Sequence, residues 1–373
     1  MKRRFITQFL TLSIVWGAFS SCSKEGDGGG AGATGKFPGT LYIDFATDGI
    51  RSYDFKTGKL VKVTNTDRGP GVTGYDFSYG SKEIALSIGT SRTFDTYQDK
   101  QTFIMRPFEG KYTWYSTISD PNGIPSEGNI FGFKYQYNGQ SSEGQFYHEA
   151  AIRVSPNKRY IAVDGNYWED RGVLLFDTQT GKLLAEFYTT KEDLDYQSTP
   201  VWTHNNELFF AIRGMLYRWK EGYGKKVEQV LNINDGNGAG YVAVNPQGTR
   251  VAFRYKKHLW IQNLDGSGLQ QITTSPPSGL SKVDGEYQPV FSPDGRYIAF
   301  VGSPTIGRMW TDYDPLQPRL PHVTVVGGAY GYVFIIPDNN KLYDLKDPTS
   351  GAVMIKDSSG FYVAGYFSNM IWR

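Results

Sequence analysis

The sequence predicts an all-β protein built from repeated four-stranded units. Three observations support this prediction: a ten-residue strand–turn–strand motif that recurs along the chain, glycine-centred hairpins after its copies, and a composition rich in sheet-forming residues. The 373 residues include 44 Gly, 26 Tyr and 23 Phe. Aromatic residues are enriched in strands, and glycine adopts the backbone angles of tight turns. Together these features indicate many short strands joined by short turns.

The recurring motif is an apolar strand, a turn of Pro, Asn, Asp or Gly, and a second strand. Its clearest copies are FSPDGRYIAF at 291–300, VSPNKRYIAV at 154–163 and VNPQGTRVAF at 244–253. More divergent copies are WTHNNELFFA at 202–211 and FSYGSKEIAL at 77–86. Proline presets one turn angle, and Gly or Asn tolerates the left-handed position. Three copies in the same phase argue against an isolated turn signal.

A glycine-centred hairpin adds two further strands to each unit, as in LLFDTQTGKLL at 174–184 and IRSYDFKTGKL at 50–60. The second residue of each motif copy, which we call the anchor, is Ser, Thr or Asn. The last four anchors stand at 155, 203, 245 and 292, at intervals of 48, 42 and 47 residues. Four-stranded propeller repeats have a period of about 40–45 residues. The spacing therefore predicts a β-propeller.

The Ser-Pro-Asp-Gly units resemble TolB-like propeller repeats, relatives of the WD-repeat class that lack its WD dipeptide. The resemblance extends over about Thr40–Ile371 and implies six or seven four-stranded blades. Seven are favoured, because a degenerate further anchor stands at Ile336–Asn340. The first unit, Leu41–Val63, shows only three strands, so we expect Phe361–Arg373 to supply the fourth. This fold hosts binding, scaffolding and catalysis, and does not by itself identify a function.

The N-terminus predicts export and lipidation. A basic start precedes the apolar stretch Phe5–Phe19, and two serines lead to Cys22, the single cysteine of the chain. Such a segment is typical of a secretory signal and is shorter than the roughly 20 residues that span a bilayer. A permanent membrane anchor is the alternative. Phe19–Cys22 resembles a bacterial lipobox, which implies cleavage after residue 21 and a diacylglycerol on the Cys22 thiol.

These features divide the chain into a signal peptide (1–21), a lipidated Cys22 with a glycine-rich linker (22–38) and a propeller (39–373). Ser23–Lys36 contains no apolar residue larger than alanine and predicts a flexible tether. Ser23 after the cysteine resembles lipoproteins sent to the outer membrane of Gram-negative bacteria. We therefore expect a cell-envelope protein that is held at the outer membrane by its lipid and faces the periplasm or the cell exterior.

The charge balance and the motifs limit the functions that the sequence predicts. Lys and Arg number 39 against 37 Asp and Glu, so no basic surface for nucleic acid is indicated. The four histidines occupy non-equivalent repeat positions: His148 before a first strand, His204 in a turn, His258 at the start of a third strand and His322 in an irregular segment. We therefore expect no metal and no cofactor. No Gly-x-Ser-x-Gly nucleophile motif is present, and we assign no catalytic residue.

The long interval between the anchors at 78 and 155 indicates an insertion over roughly 120–145. Phe131, Phe133, Tyr135 and Tyr137 alternate there, and we expect them to form a binding surface with Trp168 on one propeller face. The alternative is that these aromatic residues cap a blade edge. The sequence thus predicts a membrane-anchored, non-catalytic binding or scaffold module for a protein or glycan. The other function left open is a carbohydrate-active enzyme, a polysaccharide lyase or hydrolase, with its site at the channel mouth.

Overall fold

The computed structural model describes the propeller body in seventeen segments. They are residues 37–44, 49–64, 72–89, 100–111, 133–136, 152–166, 171–188, 199–212, 214–233, 240–275, 285–302, 309–313, 321–325, 331–347, 349–360, 362–363 and 370–373. Every regular element in these segments is a β-strand. No helix long and apolar enough to cross a membrane occurs in them.

The strands form six four-stranded sheets and two two-stranded ones. Sheet 1 contains β1 (Thr40–Asp44), β2 (Ile50–Asp54), β3 (Lys59–Lys62) and β28 (Met370–Trp372). Sheet 2 contains β4 (Val72–Phe77), β5 (Glu83–Gly89), β6 (Lys100–Pro107) and β7 (Phe133–Gln136). Sheet 3 contains β8 (Ile152–Val154), β9 (Tyr160–Asn166), β10 (Arg171–Asp177) and β11 (Leu183–Tyr188).

Sheet 4 contains β12 (Val201–Trp202), β13 (Leu208–Ile212), β14 (Met215–Trp219) and β15 (Glu228–Asn232). Sheet 5 contains β16 (Gly240–Val244), β17 (Arg250–Tyr255), β18 (His258–Asn263) and β19 (Gln270–Gln271). Sheet 6 contains β21 (Glu286–Phe291), β22 (Tyr297–Gly302), β25 (Tyr332–Pro337) and β27 (Val353–Met354). The two small sheets pair β20 (Thr273–Thr274) with β26 (Tyr343–Asp344) and β23 (Met309–Tyr313) with β24 (Pro321–Val325).

The turns that begin at the anchors share one hydrogen-bond pattern. In sheet 6, Ser292 N donates to Tyr297 O at 2.9 Å, Gly295 N donates to Ser292 O at 2.8 Å, and Ser292 Oγ accepts from Tyr297 N at 3.0 Å. Ser155 in sheet 3 and Asn245 in sheet 5 make the same three bonds. The third residue after the anchor has a positive φ in each of five turns, at Ser81, Lys158, Asn206, Gly248 and Gly295. The anchors therefore occupy equivalent positions after first strands, as predicted.

Neighbouring sheets share buried apolar side chains because successive residues of a strand point to opposite sheet faces. In β1, Leu41 and Ile43 pack toward sheet 6, whereas Tyr42 packs toward sheet 2. Six such clusters each join two neighbouring sheets. Five of them join sheets 1 to 6 in order, and the sixth joins sheet 6 to sheet 1. The first strands of sheets 2 to 6 also contact one another in order, and β21 contacts β28. The sheets therefore surround one axis, and the predicted all-β propeller is confirmed.

The end of the chain completes sheet 1, as expected. β28 pairs antiparallel with β1, with Trp372 opposite Leu41, and Trp372 Nε1 donates to Pro38 O at 2.7 Å. Phe37 is 6% exposed and packs edge-on against Phe55. Phe37 therefore packs with the propeller core.

A buried ion pair joins this closing strand to its neighbours. Asp76 of β4 has no exposed surface, and both of its oxygens accept from Arg373 Nη2 at 3.0 Å. The same carboxylate accepts from Phe77 N and, at 2.8 Å, from Val154 N in sheet 3. Arg373 Nε donates to Phe77 O at 2.8 Å. One carboxylate thus ties sheets 1, 2 and 3 together, and we call this Asp76–Arg373 pair the closing latch.

Two expectations about the repeats are wrong. Ile336 and Pro337 end β25, the third strand of sheet 6, because the apolar run Tyr332–Ile336 pairs along its whole length with β22. Ile336–Asn340 therefore starts no further sheet, and the described segments contain six four-stranded sheets. Phe133–Gln136 is not part of a loop outside the blades, because its backbone pairs with β6 as the outermost strand of sheet 2. Its alternation of aromatic and polar residues is that of a strand.

Substitutions at Gly295 test the conformation of the turn that the repeats share. Its φ is +73°, a region that β-branched residues disfavour, whereas Asn206 adopts it at the equivalent position of sheet 4. Gly295→Val is expected to lower the free energy of unfolding by about 1–3 kcal/mol. Gly295→Asn is the matched control, because it also places a Cβ beside Gln247 but tolerates the backbone angle. Urea unfolding of both variants measures the difference, and equal losses would contradict this account of the turn.

The closing latch predicts an asymmetric response to substitution. Asp76→Asn leaves the buried Arg373 guanidinium without an anionic partner, and breaking such a pair costs about 3–5 kcal/mol of unfolding free energy. Arg373→Met added to Asp76→Asn is expected to cost less than the two single losses combined, because the unpaired charge is gone. Glu228→Gln, in the exposed pair with Arg218, is the control and should cost about 1 kcal/mol or less. Additive losses at Asp76 and Arg373 would refute the latch.

Candidate functional site

The two propeller faces differ in what they carry. Each first strand begins on the side that we call the upper face and ends on the lower face, where the anchor turns lie. Because the strands of a sheet are antiparallel, the turn from second to third strand also lies at the upper face. The start of β16 at Gly240, the start of β21 at Glu286 and the turn Lys256–Lys257 therefore share that face.

The first strands of sheets 5 and 6 bulge at the same repeat position near the upper face. Residues 241 and 242 lie opposite the single residue Phe253, and residues 288 and 289 lie opposite Phe300. Tyr241 and Gln288, each four residues before its anchor, have φ of 52° and 53°. A bulky residue at positive φ costs of order 1–3 kcal/mol, and such strain is concentrated at functional sites. Bulges next to active sites redirect side chains.

These bulges adjoin one another across two sheets. The Tyr241 ring lies 5.8 Å from the Tyr287 ring, centroid to centroid, and Tyr241 remains 39% exposed. The Oε1 atom of Gln288 is buried, and no hydrogen-bond donor reaches it within the described segments. We call the group Tyr241, His258, Glu286, Tyr287 and Gln288 the 5–6 junction.

A buried carboxylate and a histidine form the polar centre of the 5–6 junction. Glu286 is fully buried, and its Oε2 lies 2.9 Å from Nδ1 of His258, whose side chain is 22% exposed. Thr273 Oγ1 donates to the same Oε2 at 2.7 Å and itself accepts from Leu259 N at 2.8 Å. Oε1 of Glu286 has no donor in the part of the chain that the structure describes. The carboxylate is therefore held from one side, by His258 of sheet 5 and Thr273 of the adjoining strand β20.

The backbone holds Glu286 in place as firmly as the side-chain bonds do. Glu286 N donates to Lys257 O at 2.8 Å. Gly285, at φ +95°, lies so close to that carbonyl that a Cβ atom would come within 1.7 Å of it. Only glycine fits this approach. The first strand of sheet 6 is thus fastened to the upper turn of sheet 5.

The lower face carries a second buried polar group, and its contacts are structural. The Arg373 guanidinium lies 4.4 Å above the Tyr79 ring, and Tyr79 OH donates to Trp202 O at 2.9 Å. Burial alone would lower the pKa of Arg373, but the Asp76 carboxylate and Tyr79 keep it above its ordinary value. Burial raises the pKa of the Tyr79 hydroxyl. These groups satisfy one another, so they serve packing and closure.

The structure describes two of the six predicted site residues. Phe133 and Tyr135 lie on β7, opposite Phe103 and Gln101 of β6. The other proposed contact residues and the lipidation site lie outside the described residues: Phe131, Tyr137, Trp168 and Cys22. Their predicted roles stay predictions.

His204 and His258 lie at non-equivalent positions of the repeat, as the sequence predicted. His204 lies in the lower turn after β12, and His258 starts β18 at the upper face. His322, expected in an irregular segment, lies instead on β24, paired with Asp312 in a β23–β24 hairpin. His148 lies outside the described residues. Within the ranges given above, no group of three or more His, Cys, Asp or Glu side chains could hold a metal ion.

The 5–6 junction was missed by sequence reasoning. Its one sequence signal is Glu286, an acidic residue at the start of a first strand, six residues before the anchor Ser292. The His258–Glu286 contact joins residues of different repeats, so the repeat alignment does not place them together. The strained angle of Tyr241 has no sequence signature, because tyrosine is not a turn-forming residue.

No protein-family model and no curated protein matches this sequence. Among solved structures, the chain is similar to TolB from Acinetobacter baumannii at 14% identity and a TM-score of 0.47, over 84% of this chain and 67% of that one.

Two further solved structures are similar to the chain. Hydrazine synthase from Kuenenia stuttgartiensis has 14% identity and a TM-score of 0.42, over 71% of this chain and 77% of that one. The β-propeller domain of the trilobed protease from Pyrococcus furiosus has 11% identity and a TM-score of 0.39, over 78% and 74%. The structural neighbours are thus TolB and other β-propeller proteins.

Proposed function

We propose that this protein is a lipid-anchored binding module of the bacterial cell envelope, whose propeller captures a protein or glycan at its upper face. The observation that carries the proposal is the pair of strained bulges at Tyr241 and Gln288. Strain of this kind persists only where surrounding structure holds it, and it is retained where it serves a function.

The geometry of the upper face suits binding. Tyr241 presents an exposed aromatic ring that rests on the buried Tyr287, so little conformational freedom is lost when a ligand covers it. The same 5–6 junction contains His258, which is partly exposed and bonded to the buried Glu286, and Gln288 in the neighbouring bulge. An aromatic platform with a few fixed polar groups is the usual composition of a ligand site. The lower face offers mainly mutually satisfied groups around the closing latch.

The insertion aromatics extend this proposal. β7 runs from the lower to the upper edge of sheet 2, because it is antiparallel to β6. Residue 137 follows the upper end of β7, and Trp168 follows the upper end of β9 in the next sheet. We therefore keep Phe131, Phe133, Tyr135, Tyr137 and Trp168 as the proposed binding surface on one propeller face. Deletion of this segment would remove an outer strand, so point substitutions are the sound test.

The anchor part of the proposal rests on Cys22. Acylation by two or three chains gives stable membrane attachment, whereas one chain alone is marginal. Cys22→Ala is expected to abolish incorporation of labelled fatty acid and to move the protein out of the outer-membrane fraction or leave it unprocessed. Cys22→Ser is a near-isosteric control that should behave like Cys22→Ala. Wild-type protein that takes up no labelled fatty acid would refute lipidation at Cys22.

Tyr241→Gly separates binding from stability. Glycine adopts a positive φ without strain, so the melting temperature should stay within a few degrees of wild type while the aromatic platform is lost. Capture of envelope proteins or glycans by the immobilised full-length protein should fall at least tenfold. His204→Ser on the lower face is the control and should capture normally.

A triple serine variant at Phe131, Tyr137 and Trp168 tests the extended surface in the same capture assay. Reduced capture would support the extension. Capture that survives both Tyr241→Gly and the triple substitution would contradict an upper-face site.

A carbohydrate-active enzyme is the second candidate, and the Glu286–His258 pair is the observation that favours it. A buried carboxylate bonded to histidine Nδ1 orients the imidazole as in catalytic dyads. The discriminating experiment incubates the purified protein with envelope polysaccharides, with and without a chelator, and measures new reducing ends and unsaturated products. Turnover that is lost in His258→Gln would favour the enzyme over the binding module.

A further inference from the structure

The hydrogen bonds around Glu286 fix which nitrogen of His258 carries the proton. Thr273 Oγ1 accepts from Leu259 N, so its single hydrogen is directed to Glu286 Oε2. A carboxylate oxygen only accepts hydrogen bonds, so Nδ1 of His258, 2.9 Å away, must be the donor. In the neutral imidazole, Nε2, on the other side of the ring, then carries the lone pair. His258 is partly exposed, which leaves Nε2 as an oriented hydrogen-bond acceptor at the upper face.

Tyr241 and His258 lie on the same edge of sheet 5. Gly240 pairs with Arg254, and Tyr255 pairs with His258, so β16, β17 and β18 end side by side at the upper face. With strands about 4.8 Å apart, the two backbone positions are separated by roughly 10 Å. An exposed ring and an acceptor nitrogen thus flank one short stretch of surface.

The surrounding charges select the ligand. Lys256 and Lys257 form the turn that precedes His258, and the Lys256 ammonium lies 4.9 Å from the Tyr255 ring. Positive charges here disfavour a cationic side chain of a protein partner. An acceptor nitrogen in this setting pairs best with a neutral donor, and a hydroxyl group is one such donor. The apolar face of a sugar ring packs on an aromatic ring, and its hydroxyls supply such donors.

We propose that the 5–6 junction is a carbohydrate subsite, in which the Tyr241 ring packs against a sugar ring and His258 Nε2 accepts a hydrogen bond from a sugar hydroxyl. This proposal rests on the proposed function and narrows its ligand to a glycan. Glu286 is a positioning residue, because it sets the tautomer and orientation of His258 and is itself fully buried. Thr273 supports Glu286 in turn.

The test uses the full-length protein in nanodiscs on an array of neutral, uronate-containing and sulfated oligosaccharides. Wild type is expected to bind, and His258→Leu and Tyr241→Leu are each expected to weaken binding about tenfold or more, as the loss of one ligand contact implies. His258→Gln keeps an acceptor and should retain more binding than His258→Leu. His204→Leu is the lower-face control and should bind as wild type does.

A second experiment tests the role of Glu286 by recording ¹⁵N spectra of the protein with labelled histidine. Wild type should show His258 in the Nδ1–H tautomer, and Glu286→Gln should shift it toward a mixture while weakening oligosaccharide binding. A merely structural Glu286 would lower the melting temperature without moving the tautomer, and that result would overturn the positioning role.

Binding that survives His258→Leu and Tyr241→Leu, or no oligosaccharide binding by wild type, would overturn the carbohydrate subsite. The proposed binding function can be refuted independently of the carbohydrate subsite. If the array is negative and a protein is still captured in a Tyr241-dependent way, the binding module stands and the glycan inference falls. If capture is also lost, both fall.

Discussion

The buried pair of Asp76 and Arg373 is the interaction on which the rest of the propeller depends. The two residues are 297 positions apart, and their contact fastens β28, the closing strand of sheet 1, to sheet 2. Without closure, the face of sheet 1 that carries Leu41 and the face of sheet 6 that carries Val333 would have no partner. Closure therefore converts six sheets, each with two apolar faces, into six shared cores. Because ordering so long a chain is entropically costly, a buried, charge-assisted contact of the last strand offsets part of that cost.

Closure also explains how the upper face can hold strain. Tyr241 and Gln288 adopt angles that side chains avoid, and such angles persist only when neighbouring structure determines them. Here that structure is the shared core of sheets 5 and 6, with Phe300 and Phe334 at its centre, and the Gly285–Lys257 contact above it. The buried ion pair at the lower face and the strained bulges of sheets 5 and 6 thus lie at opposite ends of the first strands.

The repeat motif made much of the fold predictable. The anchors and their turns follow from local sequence, since a Ser or Asn oxygen and a left-handed turn residue act within five positions. The closing strand was predictable because the first unit lacks a fourth strand. The outer strand β7 was not recognised, because a four-residue strand at a sheet edge makes few contacts and its segment reads as a loop. Ile336–Asn340 resembled an anchor because Pro-Asp-Asn is a turn signal wherever it occurs.

The candidate site was far less predictable. Glu286 and His258 belong to different repeats and meet only because β21 packs beside β18. Histidine spacing correctly separated His204 from His258, but spacing carries no information about a carboxylate supplied by the next sheet. The bulge at Tyr241 depends on a register shift against β17, which is decided by pairing and not by the local sequence.

The central claim is that the partner binds at the upper face, beside sheets 5 and 6. The most direct measurement places a photo-crosslinking amino acid at position 241 or, as a control, at position 204 of the full-length protein in living cells. The account predicts a discrete crosslinked partner from position 241 and none from position 204. Crosslinking from position 204 alone, or equally from both, would contradict it.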